Sequence, residues 1–155
     1  MKENVFITRA VDLATHNVIE GGGPFGAIIV KDGKIIAEGV NRVAESLDPT
    51  AHAEVEAIRK ACEILNTYDL TGCEIYSSCE PCPMCFSAIY WAHIDKVYYA
   101  ATCSDADNAG FDDTFIYNEI KLDREKRSLP FIRIENQDQN IPFETWLAKE
   151  NKEKY

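Results

Sequence analysis

The sequence predicts an α/β fold in which a mixed sheet is covered by helices. Three observations carry that prediction: an amphipathic helix stopped by three glycines, a hairpin signal at Asp32-Gly33, and an alternation of helix and strand patterns after the hairpin. Phe6, Ala10, Leu13, Ala14 and Val18 recur at helical spacing, and Gly21-Gly22-Gly23 ends the helix. Segments 25–30 and 34–40 are joined by Asp32-Gly33, a dipeptide that accepts the positive φ angles of a two-residue type I′ turn.

Asp48-Pro49-Thr50 provides turn and cap chemistry before Val55, Ile58, Cys62 and Leu65, so a second helix is expected to start near His52. Residues 74–77 read as a short strand. Pro83 suits the first turn of a third helix running to Trp91, and 96–101 alternates as a further strand. Right-handed crossovers then place these last two strands parallel. Beyond Asp113 the pattern weakens. Residues 114–121 and 143–152 read as helical, and 131–134 as a strand.

A chain of 155 residues with 46% apolar composition has the size and core of one domain, here expected over 1–155. No run approaches the roughly 20 apolar residues of a membrane span, and no export signal is read at the N-terminus, so a cytoplasmic location is expected. The net charge of −10 and the lack of a dense Lys/Arg cluster disfavour a long nucleic acid as partner. Of six cysteines, Cys79, Cys82 and Cys85 crowd together, which fits metal binding in a reducing compartment better than disulfides. Cys62 falls on the apolar stripe of a predicted helix, Cys73 and Cys103 sit next to predicted strands, and all three are expected simply to be buried.

His52-Ala53-Glu54 opens one predicted helix and Pro81-Cys82-Pro83-Met84-Cys85 opens another. Cysteines three apart share one side of a first helical turn, so both thiolates can reach a single ion at about 2.3 Å, with a histidine nitrogen as third ligand. Three protein ligands leave a fourth position open for water, the mark of a catalytic zinc site. Glu54, two residues from His52, lies beside that water without ligating the ion. From there it can move the water's proton to a ring nitrogen and on to a departing amine. His-x-Glu alone is common, and Cys-x-x-Cys alone also serves structural zinc or thiol redox chemistry. Together, H-x-E followed by P-C-x-x-C is a known signature of zinc deaminases.

PFGAIIVKDGKIIAEG, DPTAHAEVEAIRKA and SSCEPCPMCFSAIYWA together resemble the cytidine-deaminase-like superfamily, and most closely its bacterial guanine deaminases; GFDDTFIY and the closing Tyr155 share in the likeness. The resemblance implies a three-layer α-β-α sandwich with a central mixed sheet. It implies one Zn²⁺ per subunit on His52, Cys82 and Cys85, with Glu54 as proton shuttle. The implied reaction is hydrolysis of guanine to xanthine and ammonia, zinc-bound hydroxide attacking C2. Cys79 stands near the ligands but outside the ligand positions of the motif.

Guanine presents adjacent donors at N1 and its exocyclic amine, an edge that suits a carboxylate, whereas cytosine and adenine set an acceptor beside their amine. The resemblance gives Asp113 that contact and a second proton-transfer duty. On the sequence alone, Asp112-Asp113 reads first as a helix cap. Asn41 can offer a donor and an acceptor to a base edge, and Phe25 and Trp91 can supply flat walls. By resemblance, Tyr155 closes a neighbouring subunit's pocket in a homodimer that exchanges its 142–155 segments. Read blindly, that segment is a charged, fraying tail.

Three alternatives stay open at this point. One is another small base or nucleoside, such as guanosine, cytosine or ammeline. Another is a tRNA adenosine deaminase, against which Glu135, Asp138, Glu144, Glu150 and Glu153 outnumber Lys149, Lys152 and Lys154 near the C-terminus. The third is a structural zinc module, which would need Cys79 or Cys103 as fourth ligand.

Overall fold

In the computed structural model, which describes residues 2–155, helix α1 runs Lys2–Ile19 and is followed by strands β1 (Gly26–Lys31) and β2 (Lys34–Val40). Asp32 at φ 50° and Gly33 at φ 72° make the expected type I′ turn between the strands. A one-turn helix α2 (Val43–Ser46), absent from the sequence reading, precedes α3 (Ala53–Leu65). Then come β3 (Cys73–Cys79), α4 (Pro83–Trp91), β4 (Lys96–Ala101), α5 (Cys103–Asn108), α6 (Asp113–Lys121) and, after a 3₁₀ turn at Arg124–Lys126, α7 (Ile141–Ala148). At six residues, α5 is too short to show a helical period. Thr102 and Asp105 nonetheless form a reciprocal capping box at its start.

The sheet order is β2-β1-β3-β4. β1 is antiparallel to both β2 and β3, and β3 is parallel to β4, so the sheet is mixed as expected. Alternate β1 side chains go to opposite faces, as the pleat demands. Ile28 and Val30, with Tyr76, pack against Phe6, Ile7 and Leu13 of α1. Ala27 and Ile29 join Ala53, Ala57 and Ala61 of α3 and Ile89 of α4 on the other face. Helices therefore cover both faces, in three layers.

The small residues on α3 let it lie close to the sheet. A Cβ on Gly39 of β2 would stand 2.2 Å from the Ala53 carbonyl oxygen and 2.5 Å from the Ala57 nitrogen, so only glycine admits this approach. The start of α3, where His52 and Glu54 sit, is thereby fixed against the end of β2.

The chain divides into two compact units, one running to Tyr117 and the other spanning Asn118–Tyr155. The second unit holds the end of α6, the 3₁₀ turn and α7. Within it Glu119 accepts from the Ser128 N–H and hydroxyl, both at 2.8 Å, and the Arg127 guanidinium lies 4.9 Å from the centre of the Phe131 ring. The strand expected at 131–134 does not form, because no strand of this unit is there to share its backbone hydrogen bonds. None of the residues 118–155 is buried, and Ile132, Ile134, Phe143 and Leu147 are among its exposed apolar side chains. Among the described residues, no helix is long and apolar enough to cross a membrane.

Candidate metal centre and active site

His52 and Cys82 occupy the same structural position on different helices. Each is the residue immediately before the first turn, with extended backbone angles, and neither side chain caps its own helix. Both are therefore free to turn toward a common point beyond the helix ends. Pro83 opens α4 where no N–H is needed, and one turn on, Cys85 returns to the side of Cys82. The N-terminal ends of α3 and α4 carry partial positive charge, which favours anionic ligands.

The Sγ atoms of Cys82 and Cys85 lie 3.4 and 3.6 Å from Nδ1 of His52. All three donor atoms fall within 4.8 Å of one another. A tetrahedral zinc with Zn–S of about 2.3 Å and Zn–N of about 2.05 Å sets sulfur and nitrogen about 3.5 Å apart. The donor set thus fits zinc in identity and in spacing. Cys82 is drawn down by its hydrogen bond with Cys85 and by His52, while the same hydrogen bond and burial push Cys85 up. One thiolate is already favoured, and the cation supplies what the second requires.

Among the described residues, no fourth protein ligand joins this group. Cys79 donates its thiol to the Thr102 carbonyl at 3.5 Å, and burial pushes it up to about 11. Burial likewise pushes Cys103 up to about 12. Neither thiol is among the donor atoms gathered at His52, Cys82 and Cys85, so among the described residues the closed site that a structural zinc module needs is not built.

Glu54 is 4% exposed. Its Oε1 accepts from the Ser77 hydroxyl at 3.1 Å, and its Oε2 accepts from Cys85 at 3.4 Å. Burial holds the carboxyl above its ordinary range, so it can hold a proton as well as release one. Ser77 lies 23 residues away on β3, and no local signal in the sequence announces it as a partner.

A cavity of about 440 Å³ opens over these groups. Its lining includes Gly21, Gly22, Gly23, Phe25, Asn41, His52, Glu54, Cys82, Phe111 and Asp113. Phe25 meets Phe111 edge to face, with ring centres 4.9 Å apart. The two aspartates divide the alternatives left open by the sequence. Asp112 caps α6, its Oδ1 accepting from the Phe115 N–H at 2.9 Å, and Asp113 lines the cavity. Burial raises the Asp113 carboxyl above its usual range, and nearby His52 opposes that rise.

One expected residue lies elsewhere. Trp91 ends α4, is 63% exposed and does not line the cavity. The reason is helical rise: Cys85 faces the metal site, and at about 1.5 Å per residue Trp91 lies about 9 Å further along the axis. Phe111, which no periodicity or motif singles out, stands as the second aromatic wall. Tyr155 belongs to the second unit and is exposed.

Residues 1–101 match the model of the cytidine and deoxycytidylate deaminase zinc-binding region. The guanine deaminase of Bacillus subtilis (strain 168) is 55% identical over 156 residues, covering the whole of both chains. The crystal structure of the Bacillus subtilis guanine deaminase superposes with a TM-score of 0.96 over 98% of each chain at 56% identity. The tRNA-specific adenosine deaminase of Aquifex aeolicus is 46% identical over 101 residues, 65% of this chain and 67% of its own.

Proposed function

This chain belongs to the guanine deaminases of the cytidine and deoxycytidylate deaminase zinc-binding family, and on that premise we propose how its residues divide the work of converting guanine and water to xanthine and ammonia. His52, Cys82 and Cys85 hold the zinc. Zinc in that place supplies a Lewis acid and an acidified water for attack at C2 of guanine. The single observation that carries this reading is the spacing of the three donor atoms, which would suit one zinc ion, with His52 and Cys82 also lining the cavity.

Glu54 takes the water's proton and delivers it to a ring nitrogen, then to the departing amine. Its burial, and the hydroxyl of Ser77 that fixes one oxygen, support the role. Asp113 accepts from the adjacent N1 and exocyclic donors of guanine. Its place in the cavity, with capping left to Asp112, supports that contact and a second proton-transfer duty. Asn41 meets another part of the base edge. Phe25 and Phe111, which touch each other edge to face, together flank the ring.

Asp113 lies beyond residues 1–101, the region matched by the general deaminase model, so the contact that selects guanine is added to a shared zinc frame. We further propose that the whole chain acts as one deaminase domain in a homodimer that exchanges its 142–155 segments, with Tyr155 as lid. The exposed apolar residues of the second unit support it, since a partner would bury them. The net charge of −10 argues against a nucleic-acid substrate.

Ammonia release from guanine, guanosine, cytosine, adenine and ammeline, measured on wild type and on Asp113→Asn, tests the reading. Wild type should prefer guanine. Asp113→Asn turns one acceptor into a donor facing a donor and should cost guanine turnover about tenfold to a hundredfold at unchanged zinc content. A stability loss without a guanine-specific loss would reduce Asp113 to a structural residue.

A further inference from the structure

Near the end of α1, the Asn17 side chain makes two bonds that the helix itself does not require. Its Nδ2 donates to the Gly23 carbonyl at 2.8 Å and to the Asn41 carbonyl at 2.9 Å. Both acceptors belong to residues that line the cavity. Two donor hydrogens on one nitrogen meet two carbonyls, so chemistry fixes the orientation of the amide. Reversed, Oδ1 would face two acceptors.

The seat is tight. A Cβ on Gly22 would stand 2.4 Å from Nδ2 of Asn17, and one on Gly23 would stand 2.9 Å from Cγ of Asn41. The Gly22 N–H also donates to the Asn17 backbone carbonyl at 2.8 Å, so backbone and side chain of Asn17 grip the same loop. Asn41 is held from other directions as well. Its N–H donates to the Phe25 carbonyl at 3.1 Å, and its Oδ1 accepts from the Val43 N–H at 3.3 Å. With one lone pair of Oδ1 engaged by the backbone, Asn41 keeps Nδ2 as donor and the other lone pair of Oδ1 as acceptor for a ligand.

We propose that Asn17 is a positioning residue for substrate selection: it ties the Gly21–Gly23 wall to the end of β2 and so sets where Asn41 meets the base. The proposal rests on the reading of Asn41 as a substrate contact. Binding groups must be held within about 0.5 Å of the productive geometry, and a displacement of about 1 Å costs on the order of 10²-fold. Asn17 touches neither substrate nor metal, and its effect passes through Asn41.

The test is a double-mutant cycle on kcat/KM for guanine in the full-length zinc-loaded enzyme, read beside zinc content and the Kd of the product xanthine. Asn17→Asp sets a carboxylate against two carbonyl oxygens. It should lower kcat/KM by about tenfold or more and weaken xanthine binding, with zinc per chain unchanged. In an Asn41→Ala background the same substitution should cost less than about threefold, because the group it positions is gone. Gly22→Ala keeps the amide but crowds it, and should give a smaller loss with the same dependence on Asn41; it stands in if Asn17→Asp does not fold. If Asn41→Ala lowers kcat/KM while the loss from the Asn17 or Gly22 variant is absent, or equal in both backgrounds, the proposal is overturned. If Asn41→Ala itself changes nothing, the reading of Asn41 fails, and the proposal falls with it.

Discussion

Glu54 is the residue on which chemistry and burial meet. A carboxylate at 4% exposure is costly unless its partners make use of it, and here Ser77 and Cys85 take one oxygen each. Glu54→Gln keeps the shape and removes the proton-carrying capacity. Turnover of guanine should fall by about 10²-fold or more while zinc content and melting temperature stay near wild type. Near wild-type turnover in that variant would assign the proton to another group. His52, Glu54, Cys82 and Cys85 were legible in the sequence because their spacing is local, each pair sitting within one helical turn. Ser77 and Asn17 were not, since their partners lie 23 and 24 residues away and only the folded sheet joins them. Asp112 and Asp113 are adjacent and chemically alike, and only the bond from Phe115 separates cap from cavity wall.

Elements carry these residues to one place. α3 lies so close to β2 that Gly39 cannot bear a side chain, and the obstructing atoms are backbone, which cannot swing aside. Gly39→Ala should therefore push the start of α3 outward at a cost of about 1 to 3 kcal/mol, the usual scale of overpacking. Because His52 and Glu54 sit at that end, zinc retention under mild chelation should drop with the melting temperature. A variant that melts lower yet keeps zinc as wild type does would show that α3 and the metal site are not so coupled. The hairpin and the helices that bear the ligands follow from patterns of period 2 and 3.6 and a turn dipeptide, and the parallel placing of β3 and β4 follows from crossover handedness. The one-turn helix α2 and the six-residue α5 are too short to show a period. The absent strand at 131–134 is a different failure: the alternation is there, but a strand needs a neighbour.

At the scale of the whole molecule, two units of unequal kind share one chain. The unit running to Tyr117 has cores on both sheet faces and holds every residue of the cavity, whereas no residue of 118–155 is buried. The exchange of tails proposed above would account for that asymmetry. A chain lacking its last few residues, mixed with a Glu54→Gln chain, should recover activity as mixed dimers form, since the intact tail of one covers the working zinc site of the other. No recovery, under conditions where subunits demonstrably exchange, would place the tail outside the partner's site. The central claim, that one zinc on His52, Cys82 and Cys85 is the seat of guanine deamination, is met most directly by titration. Protein stripped of metal by a chelator is given back zinc in steps while xanthine formation from guanine is followed. Activity should rise linearly and level off at one zinc per chain, and a chain carrying Cys82→Ala with Cys85→Ala should neither bind that zinc nor regain activity. Full activity in the stripped protein, or restoration of the doubly substituted chain, would contradict it.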